Sequence, residues 1–368
     1  MKPILALWLS FLFTMTNPLL AQYLVVGTYT NNNSTSKGIY IYSFNKQDGS
    51  LEQVSMISTT NPSYQVVAKD QKTVYSVNET AAGKISAFAF DAASKQLSLL
   101  NTVESLGDDP CYLELDQTGR WLFCSNYSSG SFSIYAIQPD GSLGPLSQFI
   151  KHAGHGPDTS RQEGPHVHST TISPDNHFLF VCDLGTDQIT SYPFDAATGK
   201  VDTAATFITN TTPGTGPRHI ALSKNGRFLY NVTEMGGTVS AYALTNGKLQ
   251  LLQTEDQLKA EKGKAAGADI HFSPNGKFLY VSQRSNSTIE IYKANRKNGK
   301  LSFAGTQSTN GNFPRNFTIG PSGTWLLAAN QKSDNITIYK VNKRTGLLTA
   351  TGKEIKAGIP VSLKWILK

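Results

Sequence analysis

Four residues of this chain carry side chains that together could perform a hydrolysis: His168, Arg218, Glu234 and Arg284. An imidazole or a carboxylate can take a proton from water and return one to a leaving alkoxide. Guanidinium groups hold phosphate or carboxylate through paired hydrogen bonds and stabilise the oxyanion that forms when water adds to a carbonyl. The bond such a set would break is an ester or lactone that carries an anionic group. No Gly-x-Ser-x-Gly elbow occurs in the chain, so direct attack by water is expected rather than acylation of a serine. Either Glu234 or His168 fits the role of base. The same charges would also serve as buried ion pairs joining neighbouring elements.

The text from Lys151 to Ser169 is the densest in such residues, with His152, His155 and the run Arg161-Gln-Glu-Gly-Pro-His166-Val-His168. Two histidines at alternate strand positions share a face and could ligate a metal if Asp269 or His271 supplied a third ligand. Anion binding and ordinary hydrogen bonding are the other two readings. The expectation adopted is a metal-free site that uses no cofactor.

These residues lie far apart in the chain, and a repeat brings them into register. One strand phrase recurs at about 50-residue spacing: Tyr23-Leu-Val-Val, Thr73-Val-Tyr-Ser, Trp121-Leu-Phe-Cys, Phe178-Leu-Phe-Val, Phe228-Leu-Tyr-Asn, Phe278-Leu-Tyr-Val and Trp325-Leu-Leu-Ala. Turn residues such as Lys224-Asn-Gly and Pro274-Asn-Gly precede most copies and allow the positive φ of a tight hairpin, which makes each phrase the second strand of a hairpin. A Pro or Gly at positions 62, 110, 217, 267 and 314 stands 13 residues before the third position of the phrase. Alternating segments such as Ile39-Tyr-Ile-Tyr and Ile289-Glu-Ile-Tyr supply a third strand, and a Gly turn leads to a short fourth. Four antiparallel strands in seven copies predict an all-β, seven-bladed β-propeller. The Tyr23 phrase lacks an upstream Pro partner and Pro360 lacks a downstream phrase, so the N-terminal strand is expected to close the last blade.

Innermost strands of a propeller line a central channel, so a shared site is assembled from equivalent positions of successive blades. Four residues after the third position of the phrase stand Tyr29, Glu79, Tyr127, Leu184, Glu234, Arg284 and Gln331. One residue after the Pro or Gly stand Ser63, Cys111, Arg218, Ala268, Arg315 and Val361, and alignment backwards from Ser173 places His168 opposite Arg218. These columns nominate His168, Arg218, Glu234 and Arg284 as catalytic. They add Arg315, Glu79 and Gln331 to the substrate-binding set, together with the neighbouring His166, Arg161 and His219.

The remaining features bound the partners. Lys2 and an apolar run from Ile4 to Phe13 read as a signal peptide over residues 1–21, leaving 22–368 as one domain and implying export to the periplasm or the medium. No segment approaches the ~18 apolar residues of a membrane span. The formal charge is +7, yet no window holds a run of Lys and Arg long enough to track a phosphate backbone, so nucleic acid is not an expected partner. Cys111, Cys124 and Cys182 have no metal spacing; Cys111 and Cys124 lie on consecutive strands, where one bridge is possible. Residues 256–265 look helical and sit between blades.

The chain resembles the lactonase family of seven-bladed propellers, which includes propeller-type 6-phosphogluconolactonases and is related to fungal carboxymuconate lactonising enzymes. The matching text is Gly27-Thr28-Tyr29, Arg161 to Ser169, Gly216-Pro-Arg-His219, Asn231-Val-Thr-Glu234, Ala268-Asp-Ile-His271, Arg284, Pro314-Arg315 and Ala329-Asn-Gln-Lys332. The resemblance implies an active site of His168, Arg218, Glu234 and Arg284 and metal-independent opening of a δ-lactone, 6-phosphogluconolactone to 6-phosphogluconate; a monomer is expected. Export would favour an unphosphorylated sugar lactone instead. A non-catalytic propeller binding an anionic carbohydrate or a protein, and a cycloisomerase acting on muconate-like dicarboxylates, are the alternatives that the same basic pocket allows.

Overall fold

The computed structural model describes residues 22–31, 34–256 and 265–367. The proposed signal segment and most of the helical-looking stretch, residues 257–264, lie outside these. Among the described residues there is no helix, and the strands form seven sheets, each a separate blade. Six blades run in chain order from the innermost strand outwards. Their inner strands are Gln65–Val67, Pro110–Leu115, Val167–Ile172, Pro217–Leu222, Gly267–Phe272 and Pro314–Ile319. The seventh joins the chain ends: Gln22–Thr28 pairs antiparallel with Pro360–Leu367, from Gln22 opposite Leu367 to Thr28 opposite Pro360. Closure of this kind removes the free edges that an open stack of sheets would present.

The hairpins form where the turn residues demand. In three blades a serine five residues before the phrase locks the turn with its hydroxyl, which accepts from the amide of Phe178, Phe228 or Phe278. A side-chain acceptor of this kind fixes the turn before any strand pairing is made. In six blades the outermost strand is longer than the short fourth strand expected, while in the blade of Val167–Ile172 it is split into Lys200–Val201 and Phe207–Asn210. Leu51–Ser58 has 8 residues and Gln96–Glu104 has 9, with alternately solvated side chains. An edge strand that faces water on most sides carries little apolar periodicity, which is why sequence reading shortened it.

The core is a ring of clusters between neighbouring blades. Tyr75 and Val77 of one blade pack on Leu113 and Leu122 of the next, and Tyr280 and Ile289 pack on Phe317 and Leu326. Two repeat signals prove to be one contact. The aromatic that opens the phrase packs beneath the glycine of a neighbouring blade's third turn, as Trp325 does under Gly49, where a Cβ would lie 2.6 Å from the indole. Gly49 also has φ of 76°, so both space and backbone require glycine there.

Candidate active site

Each candidate column of the alignment corresponds to a definite backbone device. Where the inner strand begins, the ladder skips one residue: between Pro217 and His219, Pro110 and Tyr112, Val167 and Ser169, and Pro314 and Asn316. The residues at these bulges are Arg218, Cys111, His168 and Arg315. A bulge leaves one residue out of the ladder and re-aims its side chain. The second column is pinned by one hydrogen bond used in all seven blades, from the amide after the second strand to the carbonyl just before the inner strand. The pairs are Tyr29 to Ile359, Glu79 to Asn61, Tyr127 to Asp109, Leu184 to His166, Glu234 to Gly216, Arg284 to Ala266 and Gln331 to Phe313, at 2.7–3.1 Å. Both columns therefore meet at one mouth of the channel.

Glu234 is the hub of that mouth. Its Oε1 accepts from Arg161 Nη2 at 2.7 Å and its Oε2 from Arg218 Nε at 2.9 Å, and Oε2 is also ion-paired at 2.9 Å with Arg284 Nη2, which donates to the Gly267 carbonyl. His168 Nε2 stands 3.8 Å from the same Oε2. Burial alone would raise the Glu234 pKa, but the Arg284 and Arg218 guanidinium groups overcome it and hold the carboxyl well below its usual range. His168 is driven the other way from a charged state: burial first, then Arg218 and His219, push its pKa well below 6.5, so the imidazole is neutral. Arg218 is itself buried and anchored by Nη1 to the Ala268 carbonyl at 2.7 Å.

A second group stands across the mouth. Tyr29 Oη donates to Glu79 Oε1 at 2.8 Å, and the Arg315 guanidinium carbon lies 5.6 Å from the Tyr29 ring centroid. Burial raises the Glu79 pKa, against the pull of Arg315. Arg161, Arg218 and Arg284 all bind Glu234, whereas Arg315 makes no hydrogen bond or ion pair with a described residue. The void between Arg218, Arg315, Glu79 and Asn316 is only about 10 Å³, room for about one water. Any larger ligand must sit at the mouth rather than inside the channel.

Of the remaining nominated residues, Arg161 is 44% exposed and its Nη2 reaches Tyr127 Oη at 3.4 Å, so it stands on the solvent side of the hub. His166 stacks on Tyr127 with centroids 4.5 Å apart, and its Nε2 lies 3.2 Å from Glu163 Oε1. Gln331 closes the ring with a buried Oε1 that has no hydrogen-bond partner among the described residues. His219 is placed one layer deeper, with Nδ1 2.9 Å from Asp269 Oδ1, and it meets the hub through Arg218 Nη1 at 3.2 Å and edge-on against the His168 ring, with centroids 5.1 Å apart. His152 is turned away to Asp183 and Tyr192, and among the described residues no group of three or more His, Cys, Asp and Glu is placed to hold a metal. The three cysteines are free and buried.

Three residues of the aligned columns stand at the mouth beyond the nominated set: Tyr29, already described beside Glu79, Tyr127 and Cys111. Tyr127 touches the rings of His166 and His168. Cys111 donates to the His168 carbonyl at 3.3 Å, with its Sγ 3.9 Å from His168 Nδ1. A tyrosine or a cysteine in such a column reads equally as core packing, and only the contacts with the His166 and His168 rings and the His168 carbonyl place them at the site.

Residues 23–365 of this seven-bladed ring fit the family described as "Lactonase, 7-bladed beta-propeller", and the chain belongs to it. It is 35% identical to the 6-phosphogluconolactonase of Formosa agariphila over 80% of this chain and 85% of that one. It is 31% identical to the 6-phosphogluconolactonase of Bacillus subtilis, over 80% and 84%. The solved structure of the periplasmic gluconolactonase of Pseudomonas aeruginosa superposes with a TM-score of 0.88 at 33% identity, covering 94% of this chain and 99% of that chain.

Proposed function

We propose that this protein hydrolyses the δ-lactone of a sugar acid, with 6-phosphogluconolactone as the reference substrate, and that it does so as a monomer without metal or cofactor. The observation that carries this reading is the division of labour at the mouth. Three guanidinium groups are committed to Glu234, a neutral His168 stands beside it, and Arg315 is left uncommitted. The names of the Formosa and Bacillus relatives support the lactone.

The geometry favours His168 as the base. A carboxylate already paired with three guanidinium groups is a weak proton acceptor, and Glu234 is in that position. With its proton on Nδ1, His168 offers a free Nε2 lone pair to the attacking water. The imidazolium that forms faces Glu234 at 3.8 Å, which stabilises it, and it then protonates the departing ring oxygen. Arg218 and Arg284 supply the positive charge for the tetrahedral oxyanion. Arg315, with its free donors, receives the anionic group of the substrate, and Arg161 and His166 border the entrance.

Residues 1–21 are proposed to direct export. The likeness to a periplasmic gluconolactonase favours, as a second reading, an unphosphorylated gluconolactone as the physiological substrate. The test is acid release from glucono-δ-lactone and from its 6-phosphate, measured by pH-stat above the spontaneous rate. Catalysis of either lactone, abolished by Arg218→Ala in a folded protein, supports the site. Rates equal to background with both would refute it, and the ratio of the two kcat/KM values decides between the substrates.

A further inference from the structure

The far end of the axial channel has its own pocket, separated from the Glu234 mouth by the layer that holds His219 and Asp269. It has a volume of about 290 Å³ and is lined by Tyr64, Glu114, His271 and Lys364, with apolar wall from Val66 and Ile220. That volume is near the lower bound, about 300 Å³, of ordinary small-molecule pockets. Its polar groups fall into two classes. Asp269 is satisfied: Oδ1 faces His219 Nδ1 at 2.9 Å and Oδ2 faces His271 Nε2 at 2.8 Å. Glu114 is not, since it makes no hydrogen bond or ion pair with any described residue. Lys364 Nζ spends one proton on Tyr64 Oη, at 3.0 Å, and stands 4.2 Å from the centroid of that ring.

An ammonium and a carboxylate on inner strands of the same channel, lining one small cavity yet not joined, are held apart by the strands that carry them. Both groups are half-buried, and a charge that has lost part of its hydration is costly to leave unpaired. Burial pushes the Glu114 carboxyl up to about 7 even with Lys364 and Lys69 near it.

We propose that this pocket binds a small neutral polyol, a monosaccharide or an alditol, whose hydroxyls donate to Glu114 and accept from Lys364. A hydroxyl does both, so one ligand type satisfies both groups at once. An anion would gain at Lys364 and be repelled at Glu114, and a cation would meet the reverse. The apolar wall takes the C–H face of a sugar.

The test uses the full mature chain, with D-glucose and D-sorbitol as probes in calorimetric titration and ligand-observed NMR, and gluconate and glycine as anionic and zwitterionic controls. Glu114→Gln and Lys364→Met are prepared separately and checked for fold by circular dichroism and thermal unfolding. The expected result is saturable polyol binding weakened at least tenfold in each variant, as loss of a hydrogen bond to a charged group requires, and left unchanged by Arg315→Gln at the other mouth. Four outcomes overturn the proposal: no saturable binding, which leaves water as the occupant; binding undiminished in both variants; loss with Arg315→Gln; or preference for gluconate or glycine.

Discussion

Glu79 and Glu234 occupy the same position of two different blades, and each has its amide bonded to the carbonyl before its inner strand, at 3.0 and 2.7 Å. Their electrostatics are opposite. Glu234 receives three guanidinium groups and is held fully ionised, whereas Glu79 receives a tyrosine hydroxyl and burial pushes its carboxyl towards the neutral form. The repeat decides where a side chain stands, and the residues that converge on it from its own and other blades decide what charge it carries. Around Glu234 these are His168, Arg218 and Arg284, together with Arg161 from the long segment between blades. Around Glu79 they are Tyr29 and Arg315.

The comparison is broken most directly at Glu234. Glu234→Gln should lower kcat/KM by about a thousandfold, because the arginines that meet the oxyanion lose the group that positions them. It should also lower stability by about 3–5 kcal/mol, since buried guanidinium groups lose their counter-charge; steady-state kinetics and denaturant unfolding measure the two. His168→Gln should reduce kcat by about a hundredfold or more with little change in KM, as removal of a general base does. A loss confined to KM would return the role of base to Glu234. Arg315→Gln should raise KM by about tenfold to a hundredfold at nearly constant kcat, the loss of a charged hydrogen bond to substrate. The counterpart Glu79→Gln replaces a carboxyl already inclined to neutrality, so the change in stability should stay within about 1 kcal/mol. A large effect there would show that the two glutamates are ionised alike.

The pH dependence sharpens the same contrast. Because the His168 pKa is depressed, the acid limb of kcat/KM should lie below pH 6.5, where lactone profiles can be recorded against a slower background. For stability the signs oppose. His168 and His219, the latter pushed down to about 3, contribute stability that is present above pH 6.5 and lost as pH falls. Glu114 and Glu290, both raised to about 7, contribute stability present below their unfolded value of 4.5 and lost as pH rises through 7. Between pH 4.5 and 6.5 these largely offset each other. Below 4.5, Glu234 and Asp269 must be protonated against their partners, and the thermal midpoint should fall steeply there.

Much of this arrangement is legible in the chain itself. The 13-residue spacing from Pro62, Pro110, Pro217, Gly267 and Pro314 to the strand phrase gives the blade, because a turn that needs Pro or positive φ and a strand that needs apolar alternation are local demands. The same spacing places His168, Arg218, Glu234 and Arg284 in two columns, and closure brings those columns to one mouth. It also indicates that Gln22–Thr28 belongs with Pro360–Leu367, since each end lacks what the other holds.

What required the folded ring is partnership. Nothing in the spacing separates His219, which turns down to Asp269, from Arg218, which turns up to Glu234. Nothing in it leaves Arg315 free while three other arginines are bound, or sets Glu114 and Lys364 facing one cavity unpaired. Those facts depend on bulge geometry and on distances between blades far apart in sequence. Periodicity is a property of one strand and its turn, so the sequence determines it; ionisation and free bonding capacity arise only where several strands converge.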